Sequence, residues 1–173
     1  MEFLAGLENV TLKREKKIAA MAALMPWNVA TVHLMYPEVF MNASGEVIRK
    51  IKAHYPVNPE IDLLVVVDDA ALPFGTLRLR SQGSSGGHNG LKSVAEALGT
   101  DVFSRLRLGI SHPGNDASAP VETDESSGLL HDYVLEPFSK DEEKQMPDVC
   151  QRAAKACRLW VEGPIERAMN AVN

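Results

Sequence analysis

Apolar residues recur along this chain with two different periods. Val47, Ile48 and Ile51 fall on one side of a helix predicted from about Ser44 to His54, and Leu91, Val94, Ala95 and Leu98 repeat the i, i+3, i+4, i+7 spacing of another. Gly99 stands where the second helix needs a C′ residue. Ser139 opens a third helix, with Glu142 three residues on completing a capping box. Its apolar face is Met146, Val149, Cys150, Ala153, Cys157 and Trp160, and Gly163-Pro164 breaks it before a shorter final helix. Residues 2 to 24 also read as helical. Strands are predicted at Val29 to Tyr36, ending before Pro37, at Leu63 to Val67, at Leu77 to Arg80 and at Leu106 to Ile110, with a last short segment at Tyr133 to Leu135. The unbroken run Leu63-Leu-Val-Val-Val67 suits a strand buried on both faces, so the pattern predicts an α/β domain with a parallel or mixed sheet.

Composition bounds this reading without changing it. A chain of 173 residues, 45% hydrophobic, can bury one core and implies no second, so residues 1–173 are expected to be a single domain. No membrane-spanning run, signal-peptide pattern or repeat is visible. Cys150 and Cys157 are seven apart on a predicted helix, too far for pairing, and read as buried thiols of a reducing compartment. Charge is unevenly spread within the net −5: ten acidic residues lie between Asp116 and Asp148, whereas Arg78, Arg80, Lys92, Arg105 and Arg107 cluster mid-chain. A local basic face is therefore compatible with an acidic total. The Ser-, Asp-, Glu- and Pro-rich residues 115–128 are expected to form a flexible acidic insertion.

Candidate chemistry concentrates where elements end. Glycines at 83, 86, 87 and 90 bracket a loop that opens onto His88-Asn89 at a helix start, a place that offers free N–H groups. Met41-Asn42 follows one predicted strand and Asp68-Asp69 ends another, and ligands of open α/β sheets bind outside the carboxyl ends of strands. Two amides and a carboxylate converging there suit a peptide backbone or an ester carbonyl. Taken singly, Asn42 and Asn89 also read as helix caps, and Asp68 or Asp69 as a turn former. The loop fits neither a P-loop nor a dinucleotide fingerprint.

Taken together these segments resemble the bacterial-type peptidyl-tRNA hydrolases. The resemblance rests on Phe40-Met-Asn-Ala-Ser-Gly45, Leu64-Val-Val-Val-Asp-Asp69, Gly86-Gly-His-Asn-Gly-Leu-Lys-Ser93, Phe103-Ser-Arg-Leu-Arg-Leu-Gly-Ile-Ser-His-Pro-Gly114 and Tyr133-Val-Leu-Glu-Pro-Phe-Ser139, in the family's order over residues 13 to 170. It implies a mixed, twisted sheet flanked by helices, a monomer, no metal or cofactor, and cleavage of the ester joining a peptide to tRNA. It further implies that Asn42 and Asn89 bind the peptide beside an apolar wall at Met41 and that Asn89 helps polarise the ester. Asp68 would orient a catalytic histidine. Arg80 and Arg107, with Lys92, would meet RNA phosphates. His88 and His112 lie in matched motifs but match no general base and read as structural.

Family members begin with a strand, a Gly-Leu-Gly-Asn-Pro-Gly turn and a Thr-Arg-His-Asn segment whose histidine activates water. Nothing here matches that histidine, so the expectation is an N-terminally short domain with an uncovered sheet edge near Leu63 to Val67, open to association. A catalytically inactive RNA-binding relative, like organellar splicing factors, is the alternative. The expected compartment is the cytoplasm, or an organelle matrix.

Overall fold

A computed structural model describes residues 1–27, 30–111 and 133–173. The insertion expected at 115–128, His112, and the expected strand start at Val29 all lie outside the described residues. The chain runs α1 (Glu2–Leu7), β1 (Lys13–Glu15), β2 (Ala20–Trp27), β3 (Ala30–Pro37), a 3₁₀ turn (Met41–Ala43), α2 (Ser44–His54), α3 (Pro59–Asp62), β4 (Leu64–Asp69), β5 (Leu77–Arg80), α4 (Asn89–Leu98), β6 (Ser104–Gly109), α5 (Lys140–Glu162) and α6 (Ile165–Val172).

The helix expected over residues 2 to 24 is the main correction. It lasts only to Leu7, where Asn9 turns with a left-handed φ of 53°. The Ala- and Met-rich run that follows has high helix preference, but its backbone pairs along its whole length with β3, from Ala20 opposite Pro37 to Trp27 opposite Ala30. Cross-strand pairing and burial outweigh a local preference worth only tenths of a kcal/mol per residue, ~0.7 at most. Tyr133 to Leu135 forms no strand either; the Tyr133 hydroxyl instead donates to the carbonyl of Ile110 at 2.9 Å.

Two three-stranded sheets result, β1-β2-β3 antiparallel throughout and β4-β6-β5 mixed, with β4 and β6 parallel. Among the described residues no ladder joins them, and β4 has one strand partner. Helices link them from opposite faces. Cys157 of α5 packs both against the cluster that holds Leu77 and Leu79 of β5 and Leu106 of β6 and against the cluster that holds Met25 and Trp27 of β2 and Leu34 of β3. Ile51 of α2 packs both against the cluster that holds Val67 of β4 and Leu91 of α4 and against the cluster that holds Ala20 of β2 and Ile18 just before it. Burial pushes the Cys157 thiol up to about 11. The expected capping box is present, with the Glu142 N–H donating to Ser139 Oγ at 3.3 Å and the Ser139 N–H to Glu142 Oε2 at 2.8 Å. On the outer side of β5 the Asn173 amide takes the place of a further strand, accepting from Leu79 N–H at 2.8 Å and donating to its carbonyl at 3.1 Å.

Candidate functional site

Three chain segments meet at the first turn of α4. The 3₁₀ turn after β3 seats Met41 there because α2 and α4 touch backbone to backbone: the Ser93 carbonyl occupies the place a side chain at Gly45 would need, and the Gly45 N–H donates to Ser93 Oγ at 3.0 Å. Gly90 is bare for a similar reason. A side chain there would collide with Met41 Sδ and with His88 Cε1, the latter 2.9 Å away, so thioether and imidazole stand side by side over Gly90. Phe40 is 87% exposed and Met41 50%, which leaves an apolar surface beside the imidazole.

His88, not Asn89, caps α4. Its Nδ1 accepts the Leu91 N–H at 3.1 Å, so the ring's proton sits on Nε2, which faces Oδ1 of Asp68 at 3.7 Å. That separation is longer than a direct hydrogen bond, yet the facing imidazole holds the Asp68 carboxyl below its usual range, against the desolvation that pushes the other way. Asn89 takes the first helical position, and neither its amide nor that of Asn42 has a hydrogen-bond partner among the described residues. The cap readings of both asparagines are thereby corrected: each amide is exposed and free to meet a ligand. Of the remaining histidines described, His33 lies on β3 with its ring edge-on to Tyr55 at 4.8 Å. No group of three His, Cys, Asp or Glu side chains among the described residues is placed to hold a metal.

Asp69 does different work from its neighbour. Successive strand residues point to opposite faces, and Asp69 accepts the Ala71 N–H at 2.9 Å and an Arg107 Nη1–H at 3.0 Å. Arg107 also donates to the carbonyls of Ser84 at 3.1 Å and Ser85 at 2.8 Å. Its guanidinium thus ties the glycine-rich loop to β6 and to Asp69 at the end of β4. Arg105 acts likewise. It is 2% exposed, lies 4.1 Å over the Phe103 ring, and donates to the carbonyls of Asp101 at 2.7 Å, Phe103 at 3.2 Å and Gly83. In the β5–β6 register Arg78 faces Arg107 and Arg80 faces Arg105, so these arginines share one side of the sheet. Arg78, Arg80 and Lys92 are exposed; among the described residues none makes an ion pair, and Arg80 donates only to its neighbour's carbonyl, that of Leu79, at 2.9 Å.

The His88–Asp68 contact and the committed guanidinium of Arg107 escaped sequence reasoning. The first had a usable signal, a histidine directly before a helix start and in reach of a strand end. The second depends on which face of β4 Asp69 occupies. A cavity of about 490 Å³ between Phe74–Thr76 and the N-terminal half of α5 contains none of these residues.

Against known proteins, the family model described as peptidyl-tRNA hydrolase matches residues 1–173. A peptidyl-tRNA hydrolase of Roseiflexus castenholzii is 42% identical over 163 residues, covering 94% of this chain and 70% of its own length. One from another Roseiflexus strain is 43% identical over 82% of this chain and 60% of itself, and one from Cytophaga hutchinsonii is 40% identical over the whole chain and 85% of itself. The crystal structure of peptidyl-tRNA hydrolase from Acinetobacter baumannii superposes with a TM-score of 0.85 at 29% identity, covering 99% of this chain and 81% of that one. The relatives named here all carry the hydrolase name, so the non-catalytic alternative gains no support from them.

Proposed function

Since the chain belongs to the peptidyl-tRNA hydrolase family, we propose that it cleaves the ester between a peptide and tRNA, freeing the tRNA for reuse, and that the grouping around Gly90 is where it does so. The meeting of Met41 and His88 over that glycine, with Asp68 facing the His88 ring and Asn89 next to it in the chain, is the observation that carries the assignment. In ester hydrolysis water attacks the carbonyl carbon, the carbonyl oxygen takes up negative charge, and the ribose oxygen leaves with a proton. Amide N–H groups of Asn89 and Asn42, free of partners, suit the carbonyl oxygen and the peptide backbone. Met41, with Phe40 beside it, gives the first side chains of the peptide an apolar surface.

Asp68 supplies a carboxylate kept ionised at neutral pH, which fits a role in accepting a hydrogen bond from the group that takes the proton of water. His88 is not that group. Its Nδ1 lone pair is committed to Leu91 N–H and its Nε2 already bears a proton. It holds Asp68 and caps the helix that carries Asn89. Arg80, Arg78 and Lys92 supply the free cations for RNA phosphates. No helix among the described residues is long and apolar enough to cross a membrane, in keeping with a reaction beside translation in the cytoplasm. The edge of β4, unpaired among the described residues, supports self-association, which sedimentation over a concentration series tests.

The decisive experiment is turnover of a defined peptidyl-tRNA. Asp68→Asn is isosteric and is expected to cut kcat by about 10²-fold or more with little change in melting temperature. Full activity of the Asp68→Asn chain would overturn the site assignment, and absence of turnover in the unaltered chain would overturn the activity.

A further inference from the structure

The turn between β1 and β2 is strained, and the strain has an identifiable cause. Ile18 and Ala20 are both buried and pack against Val47 of α2. Between them Ala19 takes a left-handed φ of 54°, unfavourable for a residue that carries a Cβ. It is held there from outside the turn, since its carbonyl accepts the Glu38 N–H at 3.0 Å. With Ile18 drawn into the core, Lys16 and Lys17 occupy the tip and stand exposed. Lysines on an edge strand commonly serve to discourage pairing, but these two lie beyond the end of β1.

Register places this turn beside the site. Glu15 faces Ala20 and Ala20 faces Pro37, so the turn stands at the end of the sheet from which β3 leaves for Phe40 and Met41. Arg14, Lys16, Ala19 and Glu38 line a cavity of about 270 Å³ there. Arg14 gives its Nε–H to Glu38 at 2.8 Å, while its Nη groups and the Lys16 ammonium have no partner among the described residues. Two cations thus meet one carboxylate in the cavity. Of the neighbouring charges, Lys13 and Lys17 add to the excess, and Glu15 accepts the Lys17 backbone N–H at 3.3 Å. In a chain of net charge −5 this is a local positive spot with donors to spare.

Glu38 precedes Asn42 by four residues, so the cavity lies within about 14 Å of that amide even at full chain extension, a span that three or four extended peptide residues cover. The free cations suited to RNA, Arg78, Arg80 and Lys92, lie on β5 and α4, away from this sheet. A substrate with two arms that sends its RNA toward β5 and α4 runs its peptide along Phe40 and Met41 toward the turn. We propose that the β1–β2 turn is a peptide subsite that selects an acidic side chain three or four residues before the ester, its carboxylate meeting the Lys16 ammonium and the Arg14 Nη groups. The identity of the ligand rests on the hydrolase reading, and the subsite makes that activity selective among peptides.

The test is calorimetric binding of peptidyl-nucleosides joined through a 3′-amide, which resists hydrolysis, so that affinity is read whether or not the chain turns over. Each carries the same N-acetylated tetrapeptide with Glu, Gln or Lys at the third and fourth positions from the nucleoside. The whole chain is expected to bind the Glu form about fivefold more tightly than the Lys form at low salt, and the ratio should fall as salt rises. Lys16→Glu is expected to abolish the preference and Lys16→Arg to keep it, with melting temperatures matched to the parent because the side chain is exposed. Equal affinity of the parent for the Glu and Lys forms, or no saturable binding of either, overturns the subsite. A preference that survives Lys16→Glu overturns it as well. Bare tRNA should bind the parent and Lys16→Glu alike; weaker binding by the variant would make the turn an RNA contact and overturn the peptide assignment. Turnover of peptidyl-tRNA, measured separately on the parent, tells failure of the hydrolase reading from failure of the subsite.

Discussion

Nε2 of His88 stands 3.7 Å from Oδ1 of Asp68, while the other nitrogen of the same ring is held by the Leu91 amide. The imidazole is thereby fixed between a helix end and a strand end, and it lowers the carboxyl's affinity for a proton. A folded-state value below the ordinary 3.8 means that this carboxylate's contribution to stability is present above 3.8 and is lost only as pH falls through the lower folded value. Serine also caps helices, so His88→Ser removes the imidazole and keeps the cap. In that variant only a backbone hydrogen bond still opposes desolvation, and the Asp68 midpoint, followed by carboxyl ¹³C NMR, is expected to climb above that of the parent. An unmoved midpoint would show that the two side chains do not interact.

Arg80 and Arg107 look alike in sequence but should respond oppositely to removal. Arg80→Ala deletes an exposed cation, so the melting temperature should hold while the slope of log Kd for tRNA against log salt falls by about one. Arg107→Ala strands the largely buried Asp69 carboxylate and is expected to cost about 3 kcal/mol, or a fall of roughly 6–12 °C in Tm. Filter binding over a salt series and thermal melts separate the two, and a melt of Arg107→Ala that matches the parent would contradict the structural role.

For the asparagines the discriminating change is Asn→Asp. Asn89 sits in the first turn of α4, where a carboxylate is favoured by the helix dipole, so Asn89→Asp should melt at or slightly above the parent temperature. Asn42→Asp, in the exposed 3₁₀ turn, should also leave Tm nearly unchanged. Each loses its N–H donor, and each is expected to weaken binding of a peptidyl-nucleoside analogue by about tenfold, one lost hydrogen bond to a polarised group. Unaltered affinity in both would remove them from the site.

Gly45→Ala probes the helix contact that brings Met41 to Asn89. The added methyl group meets the Ser93 carbonyl, which is backbone and cannot swing aside. Overpacking of this kind costs about 1–3 kcal/mol. A lowered Tm accompanied by a raised KM is the expected pair of readings; a parent-like Tm would show that the two helices part freely.

How far the sequence could be read depended on whether one period governed a segment. The helix Ser44–His54 and the strand Leu77–Arg80 agree with expectation residue for residue, because each carries a single uninterrupted pattern. Residues 20 to 24 depart from the expected helix because alanine, methionine and leucine favour a helix when alone, and only the pairing with β3 makes them a strand. Motif positions located Asp68 and Asn89 at element ends but carried no information on side-chain direction. Whether a carboxylate faces a ligand or an arginine turned on one step along β4, which sent Asp68 toward His88 and Asp69 toward Arg107.

The lack of any described ladder between the two sheets bears on what a substrate does to this protein. Each sheet with its covering helices is a candidate for independent opening, coupled to the other where Ile51 and Cys157 each pack against two core clusters. Asn42 follows a strand of one sheet, while Asp68 ends a strand of the other. A ligand bridging them is a thermodynamic staple: it binds only when both halves are closed, and so makes their unfolding more cooperative.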